Sequence, residues 1–460
     1  MTWAAEELRT VDLGDARLDR RLVKAVEALA EQAGRSVPQA CGSAAAAKAV
    51  YRFWDNECVQ AQDIRAAHTL ATCARCLAYP VVLAIQDTTS LDFTGHRAVS
   101  GLGYLERRRL RGLKMHTTLA VSEDGVPLGL LDQKVWVRPD EELGKKKDSH
   151  QKLTQDKESQ RWIDALQSTQ ALLADLPCVI TVCDAEADIF DLLAHPRPAN
   201  SHLLIRVAQS RRVEGEYGRL FEALAQAPQM GTERLWLGCQ EREATLVLRS
   251  MTVSIRPPTN GLHKGQQSLT LQALLAEEES PTPAEGEPIR WRLLTSLPVT
   301  GLADVQRCLR LYARRWLIER WHYTLKSGCG VEKLQLESAE RLQRALATYG
   351  IVAWRLLWMT YLARMDEPVP CTVALRPYEW QSLYCTHHRT RQLPERPPSL
   401  RQAVLWIAQL GGFLARKGDG EPGVKVLWRG LQRLLDISNT WQLLQPHPST
   451  SDQLEFVGNG

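Results

Sequence analysis

The stretch YPVVLAIQDTT, residues 79–89, changes the character of the chain. Its apolar, β-branched run from Tyr79 to Ile85 predicts a buried strand, and polar residues beginning with Gln86 follow directly. Asp87 is therefore predicted to lie at the carboxyl end of a buried strand, where open sheets commonly place their sites. A carboxylate in that position is costly unless it is paired, hydrogen-bonded or bound to a metal, although it can equally cap the next turn.

A second predicted strand, Cys178 to Cys183, ends in the same way at Asp184. Two carboxylates that follow two buried strands favour a functional site over two turn caps. Asp188, four residues further on, is an alternative candidate. We prefer Asp184 because it ends the strand directly. Asp188 would begin the next helix and serve as its cap.

The segments around these two strands predict a mixed sheet with helices packed on it. Period-two alternation predicts strands at 115–121, 127–137 and 202–207, the first two joined as a hairpin. Apolar residues at helical spacing predict a helix over 156–176. Further alternating stretches predict a β-rich insertion at about 212–297. The fold class that we expect is α/β, with a mixed sheet and flanking helices.

Helical spacing dominates both ends of the chain. It predicts an all-α N-terminal domain over residues 1–77 and an all-α C-terminal domain over residues 366–460. The α/β core would occupy residues 78–365, and a long helix from Leu302 to Leu325 would follow the insertion. Two helical domains would thus frame the core.

Composition limits the class of protein. Hydrophobic residues make up 44% and charged residues 24% of the 460 residues, as in globular proteins of two or three packed units. The apolar runs are far shorter than the roughly 20 residues of a membrane span, so we expect a cytoplasmic protein. The net charge is only +4, but basic clusters such as Arg107–Arg109 and Lys145–Lys147 favour a partner with a phosphate backbone.

Eleven cysteines, an odd number, argue against a disulfide framework. Cys73 and Cys76 have the spacing of zinc ligands, and Cys385, His387 and His388 could complete such a site. The alternative is that Cys73 and Cys76 are small buried residues of an alanine-rich helix, where such cysteines are common.

The predicted helix after the insertion carries a polar stripe. Tyr312, Glu319 and Lys326 are spaced seven residues apart, and Arg315 lies four residues before the glutamate, so the four share one side of a helix. A simple surface pair between Arg315 and Glu319 is the alternative, worth only about a few tenths of a kcal/mol. The core-facing side would be formed by Leu309, Trp316 and Leu325.

Several groups of residues resemble a known protein family. They are the spacing Y-x2-R-x3-E-x6-K that begins at Tyr312, DTTSL at residues 87–91, CDAEADI at residues 183–189 and LGDAR at residues 13–17. Together they are similar to the insertion-sequence-four family of bacterial DDE transposases, the group that includes the Tn-five transposase. The resemblance extends from about Leu13 to Leu435.

This resemblance implies an RNase H-like catalytic core, interrupted by a β-rich insertion before the glutamate helix. It makes Asp87, Asp184 and Glu319 the catalytic residues and the ligands of two Mg²⁺ ions, for which Mn²⁺ would substitute. Hard cations prefer oxygen ligands, so three carboxylates suit these metals and argue against zinc. The implied reaction frees a 3′ end by hydrolysis, forms a hairpin on the opposite strand and joins the 3′-hydroxyl ends to target DNA.

The same resemblance implies several DNA contacts. Tyr312, Arg315 and Lys326 would grip phosphates beside the cleavage point. Trp291 would accept a flipped base, with a core position on a strand as the alternative. The other implied DNA-binding residues are Arg17, Arg21, Arg52 and Arg206.

The implied partners are double-stranded transposon ends, target DNA and a second copy of the chain in a synaptic homodimer, with no membrane. The candidate dimer surface is formed by the C-terminal helices, especially the helix over 424–435, where Leu427, Leu431 and Leu434 recur at helical spacing, and core packing is the alternative. Two other functions stay open: a structure-specific RNase H-like nuclease without strand transfer, and a domesticated DNA-binding regulator that no longer cleaves. A bacterial transposase would be associated with the nucleoid when bound to DNA.

Overall fold

The structure is a computed structural model that describes residues 2–142, 153–237, 242–259, 263, 265–278 and 288–444. The basic cluster Lys145–Lys147 lies outside these residues. The strands of the described ranges are β1 (Val81–Asp92), β2 (Gly103–Tyr104), β3 (Arg111–Ser122), β4 (Pro127–Trp136), β5 (Cys178–Cys183), β6 (Ser201–Arg206), β7 (Gln229–Leu237), β8 (Arg242–Ile255), β9 (Leu269–Glu278) and β10 (Arg290–Thr295).

The α-helices of the described ranges are α1 (Trp3–Glu7), α2 (Ala16–Glu31), α3 (Val37–Ala40), α4 (Ala44–Asp55), α5 (Ala61–Cys76), α6 (Gln160–Leu172), α7 (Phe190–Ala194), α8 (Leu220–Gln226), α9 (Leu302–Ala313), α10 (Trp316–Tyr323), α11 (Ala339–Leu362), α12 (Pro377–His388), α13 (Leu400–Leu410) and α14 (Val424–Leu444).

All of these strands belong to one sheet, in the order β2-β3-β1-β5-β6-β10-β9-β8-β7, with β4 also paired to β3. β1, β5 and β6 are parallel, whereas β3 and β4 form the expected antiparallel hairpin and β3 pairs antiparallel with β1. The prediction of a mixed sheet with flanking helices is confirmed. This arrangement is compatible with an RNase H-like core.

Alternate side chains of the sheet enter different apolar clusters. Leu83 and Ile85 of β1 join the large cluster beneath α10 and α11. Their neighbours Val82 and Ala84 point to the opposite side, where they pack with the last residue of α5, Cys76. Because side chains alternate along a strand, odd and even positions of β1 meet different helices.

The β-rich insertion extends the same sheet. β10 pairs antiparallel with β6, and β9, β8 and β7 follow in turn. Helix α8, which the sequence analysis did not predict, packs on β8 and β9. The open edge of β6 offers unpaired backbone groups, so added strands are accommodated there without a second sheet.

The N-terminal helices share a continuous core with α11. The indole Nε1 of Trp54 donates a hydrogen bond to Thr348 Oγ1 at 3.1 Å. Arg344, buried on α11, donates to the carbonyl oxygens of Trp54 and Val59 at 3.0 and 2.6 Å. Helix α11 therefore holds the N-terminal helices through buried polar contacts as well as apolar packing.

The C-terminal helices α12, α13 and α14 pack around the end of α11. Leu427 and Leu434 of α14 are 0% and 2% exposed within this cluster, so the prediction that they form a dimer surface is wrong. Core packing is correct for both leucines, because α12 and α13 cover that stripe of α14. Leu431 is half-buried at the margin of the cluster.

The predicted domain borders fall between elements and stay predictions. Residue 77 directly follows α5, and residue 365 comes after the end of α11. Within the described ranges, no helix combines the length and the apolar character that crossing a membrane requires.

Candidate active site

Asp87 and Asp184 come together because their strands are parallel neighbours. The register of β1 and β5 aligns Ile85 with Val182, so each aspartate lies two residues beyond an aligned pair. Since alternate residues of a strand share a face, both aspartates belong to the face that Ile85 and Val182 bury in the large cluster. β5 ends at Cys183, so the prediction that Asp184 directly follows the strand is confirmed.

Asp87 does not lie at the end of its strand, and that part of the prediction is wrong. β1 continues to Asp92 because β3 pairs with it antiparallel over this length, with Asp87 aligned to Thr117. Only the parallel pairing with β5 ends, at Ile85. Asp87 therefore lies at a step in the sheet, where β1 extends beyond its parallel neighbour.

Glu319 is carried by α10, and the single long helix predicted for this region is divided. α9 ends at Ala313 and α10 begins at Trp316. At the junction each backbone N–H donates to the carbonyl three residues earlier. The N–H of Leu317, for example, donates to the carbonyl of Arg314 at 2.9 Å. Such tightened turns within a helix often accompany functional sites.

The polar stripe of this helix is largely buried. Tyr312 is 2% and Arg315 is 7% exposed, and the Arg315 guanidinium donates to Glu319 Oε1 at 2.7 Å. Lys326 lies in the following π-helical turn and donates to the carbonyl of Ser90 at 2.5 Å. The alternative of a simple surface ion pair is therefore wrong, because the arginine is inside the protein.

The opposite side of the same helices matches the sequence prediction at two of three positions. Leu309 and Leu325 are buried in the core. Trp316 is 39% exposed, so the prediction that it faces the core is wrong. The divided helix places its ring beside the Arg315 guanidinium, 5.0 Å from the ring centroid.

The carboxylates influence one another electrostatically. Burial and the negative charge of Asp184 raise the pKa of Asp87 to about 7, and the charge of Glu319 acts in the same direction. The Arg315 guanidinium and the N–H group of Thr88 oppose this rise in the Asp87 pKa. Three acidic groups therefore share one field, which favours a bound cation or a bound proton.

His322 is a residue of this site that the sequence analysis missed. Its Nδ1 lies 3.7 Å from Asp87 Oδ2. Burial, together with the charges of Lys326 and Arg315, lowers the pKa of His322 to about 3, so the imidazole is neutral. Its position three residues after Glu319, on the same side of a helix, was the available signal.

Two buried nitrogens of the site have no hydrogen-bond partner within the described ranges. They are Nε of Arg315 and Nε2 of His322. Buried polar groups normally have partners, and an unmade bond costs about 1–3 kcal/mol. A ligand that accepts a hydrogen bond beside Asp87 would remove this cost for the Arg315 N–H group.

Asp188, the alternative to Asp184, is used elsewhere. Its Oδ2 accepts from the backbone N–H groups of Ala208 and Gln209, both at 2.9 Å, and its Oδ1 accepts from Arg211 Nε at 2.8 Å. Asp188 therefore holds the segment after β6. The expectation that it caps the next helix is wrong, because its oxygens point to this segment instead.

Trp291 and Arg206 lie beside the buried tyrosine of the stripe. The Trp291 ring packs edge-on against Tyr312, with centroids 5.1 Å apart, and is 5% exposed. Arg206 is exposed at the end of β6, and its charge and that of Arg315 oppose the burial that raises the pKa of Tyr312 to about 12. Base acceptance by Trp291 stays a prediction.

The N-terminal arginines are carried by other elements. Arg17 and Arg21 belong to α2, and Arg52 is exposed on α4. Arg17 pairs with Asp15 at 2.9 Å, and Arg21 donates to the carbonyl of Ala49 at 3.4 Å, which joins α2 to α4. Their DNA contacts also stay predictions.

The zinc hypothesis has no structural support. Cys76 is buried in an apolar cluster with Val82, and Cys385 lies far along the chain on α12. Among the residues that the structure describes, no group of three or more histidine, cysteine, aspartate or glutamate side chains is arranged to hold one metal ion. The alternative of small buried cysteines fits Cys76 better.

Both ends of the chain match known families. Residues 1–59 match the family model described as Transposase DNA-binding, and residues 351–441 match the one described as Transposase Tn5 dimerisation domain. These matches support a DNA transposase similar to that of Tn5, an enzyme that cleaves and joins DNA, with DNA and a second copy of the chain as partners. The carboxylates lie between the two matched segments.

Proposed function

We propose that this chain is a cut-and-paste transposase of the insertion-sequence-four family, with an RNase H-like catalytic core and with Asp87, Asp184 and Glu319 as its catalytic carboxylates. One observation carries the proposal. Two aspartates share a sheet face beneath the Arg315–Glu319 pair, in a chain whose ends match transposase DNA-binding and dimerisation domains.

The chemistry of the carboxylates suits divalent metal ions, although the three side chains are not gathered around one ion position in this structure. The raised pKa of Asp87 reflects burial and neighbouring negative charge, and a cation would relieve both effects. Carboxylate oxygens suit Mg²⁺ or Mn²⁺, and Asp87, Asp184 and Glu319 are the residues that would hold two such ions. When bound, such ions activate the attacking oxygen and stabilise the leaving oxygen of a phosphodiester displacement.

The chain's own residues would position the phosphodiester. The Arg315 guanidinium is buried and oriented by Glu319, and its Nε–H group is available to a phosphate oxygen. A buried charge-assisted bond of this kind favours the additional negative charge that develops during displacement. Lys326 and Tyr312 would hold adjacent phosphates, as the family resemblance implies.

The proposed reaction has four displacements at one site. Water cleaves one strand and frees its 3′-hydroxyl, and this hydroxyl attacks the opposite strand to form a hairpin. Water then reopens the hairpin, and the freed 3′-hydroxyl attacks target DNA. The N-terminal helices would bind the terminal repeats through Arg17, Arg21 and Arg52. Two chains would bring two ends together, so that both are cut in one synaptic complex.

The test uses the purified full-length chain and DNA from the ends of the element that encodes it. With Mg²⁺ or Mn²⁺, the wild-type protein should produce nicks and then hairpins at the element boundary on a denaturing gel. Asp87→Asn, Asp184→Asn and Glu319→Gln should each bind the same DNA and leave it intact. A matched control is Asp164→Asn, on an exposed part of α6, which should cleave like the wild type.

Other outcomes would select the alternatives. Cleavage without hairpins or joined products, on DNA chosen by structure and not by sequence, would indicate a nuclease. Sequence-specific binding without cleavage in either metal would indicate a domesticated regulator and would reject the enzyme.

A further inference from the structure

A polar cavity of about 280 Å³ is lined by the residues that directly follow Asp87 on β1. Thr88, Thr89 and Ser90 line it where β1 extends beyond β5. The cavity therefore begins one residue from Asp87. DNA held at the carboxylates would therefore lie near this cavity.

Three cationic side chains from three different elements line this cavity. They are Lys114 of β3, Arg138 after β4 and Arg161 of α6, with side chains only 12%, 21% and 11% exposed. Burying a cation costs free energy that its partners must offset. All three are paired with glutamates, so an anion would bind here by taking the place of one of those partners.

The partners of two of these cations are surface glutamates. Glu106 accepts from Lys114 Nζ at 2.7 Å, and Glu186 accepts from Arg161 at 3.0 Å. Their side chains are 55% and 63% exposed, so both carboxylates remain in contact with solvent. Arg138 differs, because it is paired with the less exposed Glu158.

Hydroxyl groups complete the polar lining. Ser90 Oγ accepts from Lys114 Nζ at 2.8 Å and donates to Glu106 Oε1. Thr88 Oγ1 accepts from Arg161 Nε at 2.9 Å. The Glu106 carboxylate thus receives bonds from an ammonium and a hydroxyl, which are the donors that a phosphate oxygen would use.

The loop that carries Glu106 also carries free positive charge toward solvent. Arg107, Arg108 and Arg109 follow Glu106 directly between β2 and β3, and all three are exposed. Their field attracts a phosphate backbone toward the cavity. Glu106, the acidic residue of this loop, instead pairs with Lys114 of the cavity.

We propose that this cavity is a second phosphate site, which takes a phosphodiester of the DNA strand that continues past the carboxylates. Glu106 and Glu186 occupy the phosphate positions until DNA displaces them. This inference rests on the proposed function for the identity of the strand. It assigns Lys114 and Arg161 to DNA binding, and it makes Glu106 a competitor of DNA.

The two members of one ion pair should then act in opposite directions. Lys114→Met removes a phosphate contact, so DNA affinity should fall about tenfold and the salt dependence should decrease by about one ion. Glu106→Gln removes the competitor, so DNA affinity should rise severalfold. Binding would be measured by fluorescence anisotropy with a short labelled duplex, in chelator and without divalent cations, over a series of salt concentrations.

Lys134 and Asp164 provide the matched control pair, at 3.0 Å between β4 and α6 and outside the cavity lining. Lys134→Met and Asp164→Asn should leave DNA affinity close to that of the wild type. Thermal unfolding of all variants would be recorded, and the comparison uses those that keep the wild-type melting temperature. If Lys114→Met fails to fold, Arg161→Met and Arg161→Lys take its place. Arg161→Lys keeps the charge, so it should lower DNA affinity less than Arg161→Met does.

The inference is overturned if Lys114→Met and Glu106→Gln change DNA affinity in the same direction or not at all. It is also overturned if inorganic phosphate changes the melting temperature of the wild type but not that of Lys114→Met, while the two proteins bind DNA with equal affinity. The binding assay contains no divalent cation, so its result does not depend on cleavage. A chain that binds DNA but never cleaves it would fail the proposed function. It could still show the opposite effects of Lys114→Met and Glu106→Gln on DNA affinity.

Discussion

Asp184 and Asp188 are four residues apart and have the same side chain, but their surroundings differ. Asp184 accepts one backbone hydrogen bond, from Glu186 at 2.9 Å, and remains partly exposed. Asp188 is buried and paired with Arg211. The first is free to contact a ligand, whereas the second stabilises the fold.

This difference predicts opposite phenotypes for one substitution. Asp184→Asn should abolish DNA cleavage and change the free energy of unfolding by less than about 0.5 kcal/mol. Asp188→Asn should lower that free energy by about 3 kcal/mol, because a buried arginine loses its ionic partner. Urea unfolding and a cleavage assay on both proteins measure this. Equal destabilisation by the two variants would contradict the assignment.

At the scale of elements, the division between α9 and α10 controls which residues reach the carboxylates. An uninterrupted helix would keep Tyr312, Arg315 and Glu319 on one straight stripe. In the structure Arg315 is buried beside Glu319, and Trp316 is partly in solvent.

Truncation of one apolar residue on each side of this turn tests its geometry. Leu309→Ala should cost about 2–5 kcal/mol of unfolding free energy, since a fully buried leucine leaves a cavity. Trp316→Ala should cost about 1 kcal/mol or less, because the ring is half in water. Denaturant unfolding of both variants gives the comparison, and a larger loss for Trp316→Ala would show that its ring is in the core.

A second element, α1, is docked on the core through a buried polar cluster. Glu7 accepts from His68 Nδ1 at 2.6 Å and from Arg75 at 2.7 Å. The backbone N–H of Leu130 donates to His68 Nε2 at 3.0 Å, so this nitrogen carries no proton. Burial lowers the pKa of His68 below its usual value, consistent with a neutral ring.

This cluster predicts acid sensitivity. The pKa of His68 is lower in the folded state, so the unfolded chain binds more protons below about pH 6.5 and folded-state stability falls as the pH falls. As the pH falls from about 7 to 5, His68 should therefore contribute to a progressive loss of folded-state stability. The measurement is urea unfolding of wild type and His68→Gln at both pH values. Identical pH dependence in the two proteins would refute this role.

At the scale of the whole molecule, α11 connects the two segments that match transposase domains. Its first half holds the N-terminal helices through Arg344 and Thr348, and its second half enters the cluster formed with α12 to α14. The segments that match DNA-binding and dimerisation models are thus attached to one helix that also packs on the sheet.

Two arginines of α11 test this connection. Arg344→Met should lower the free energy of unfolding by about 2–4 kcal/mol, because the buried carbonyls of Trp54 and Val59 lose their donor. Arg341→Met is the control: it removes pairs with the exposed acids Asp55 and Glu337 and should cost about 1 kcal/mol or less. Equal losses would mean that the buried bonds do not hold the N-terminal helices.

The sequence by itself determined the elements that depend on local pattern. Apolar alternation and helical spacing predicted the strands and most helices, and the placement of Asp184 after a buried strand was confirmed. Residue spacing also pointed to Glu319. These features are encoded within a few residues, since side-chain periodicity and the cost of burying a carboxylate act locally.

Tertiary structure alone decided the features that depend on distant partners. The length of β1 beyond Asp87 follows from its pairing with β3, the burial of Leu427 from α12 and α13, and the role of Asp188 from Arg211. His322 became part of the site only when α10 packed on β1. Sequence periodicity tells which side of an element is buried, but the groups that meet it are set by long-range packing.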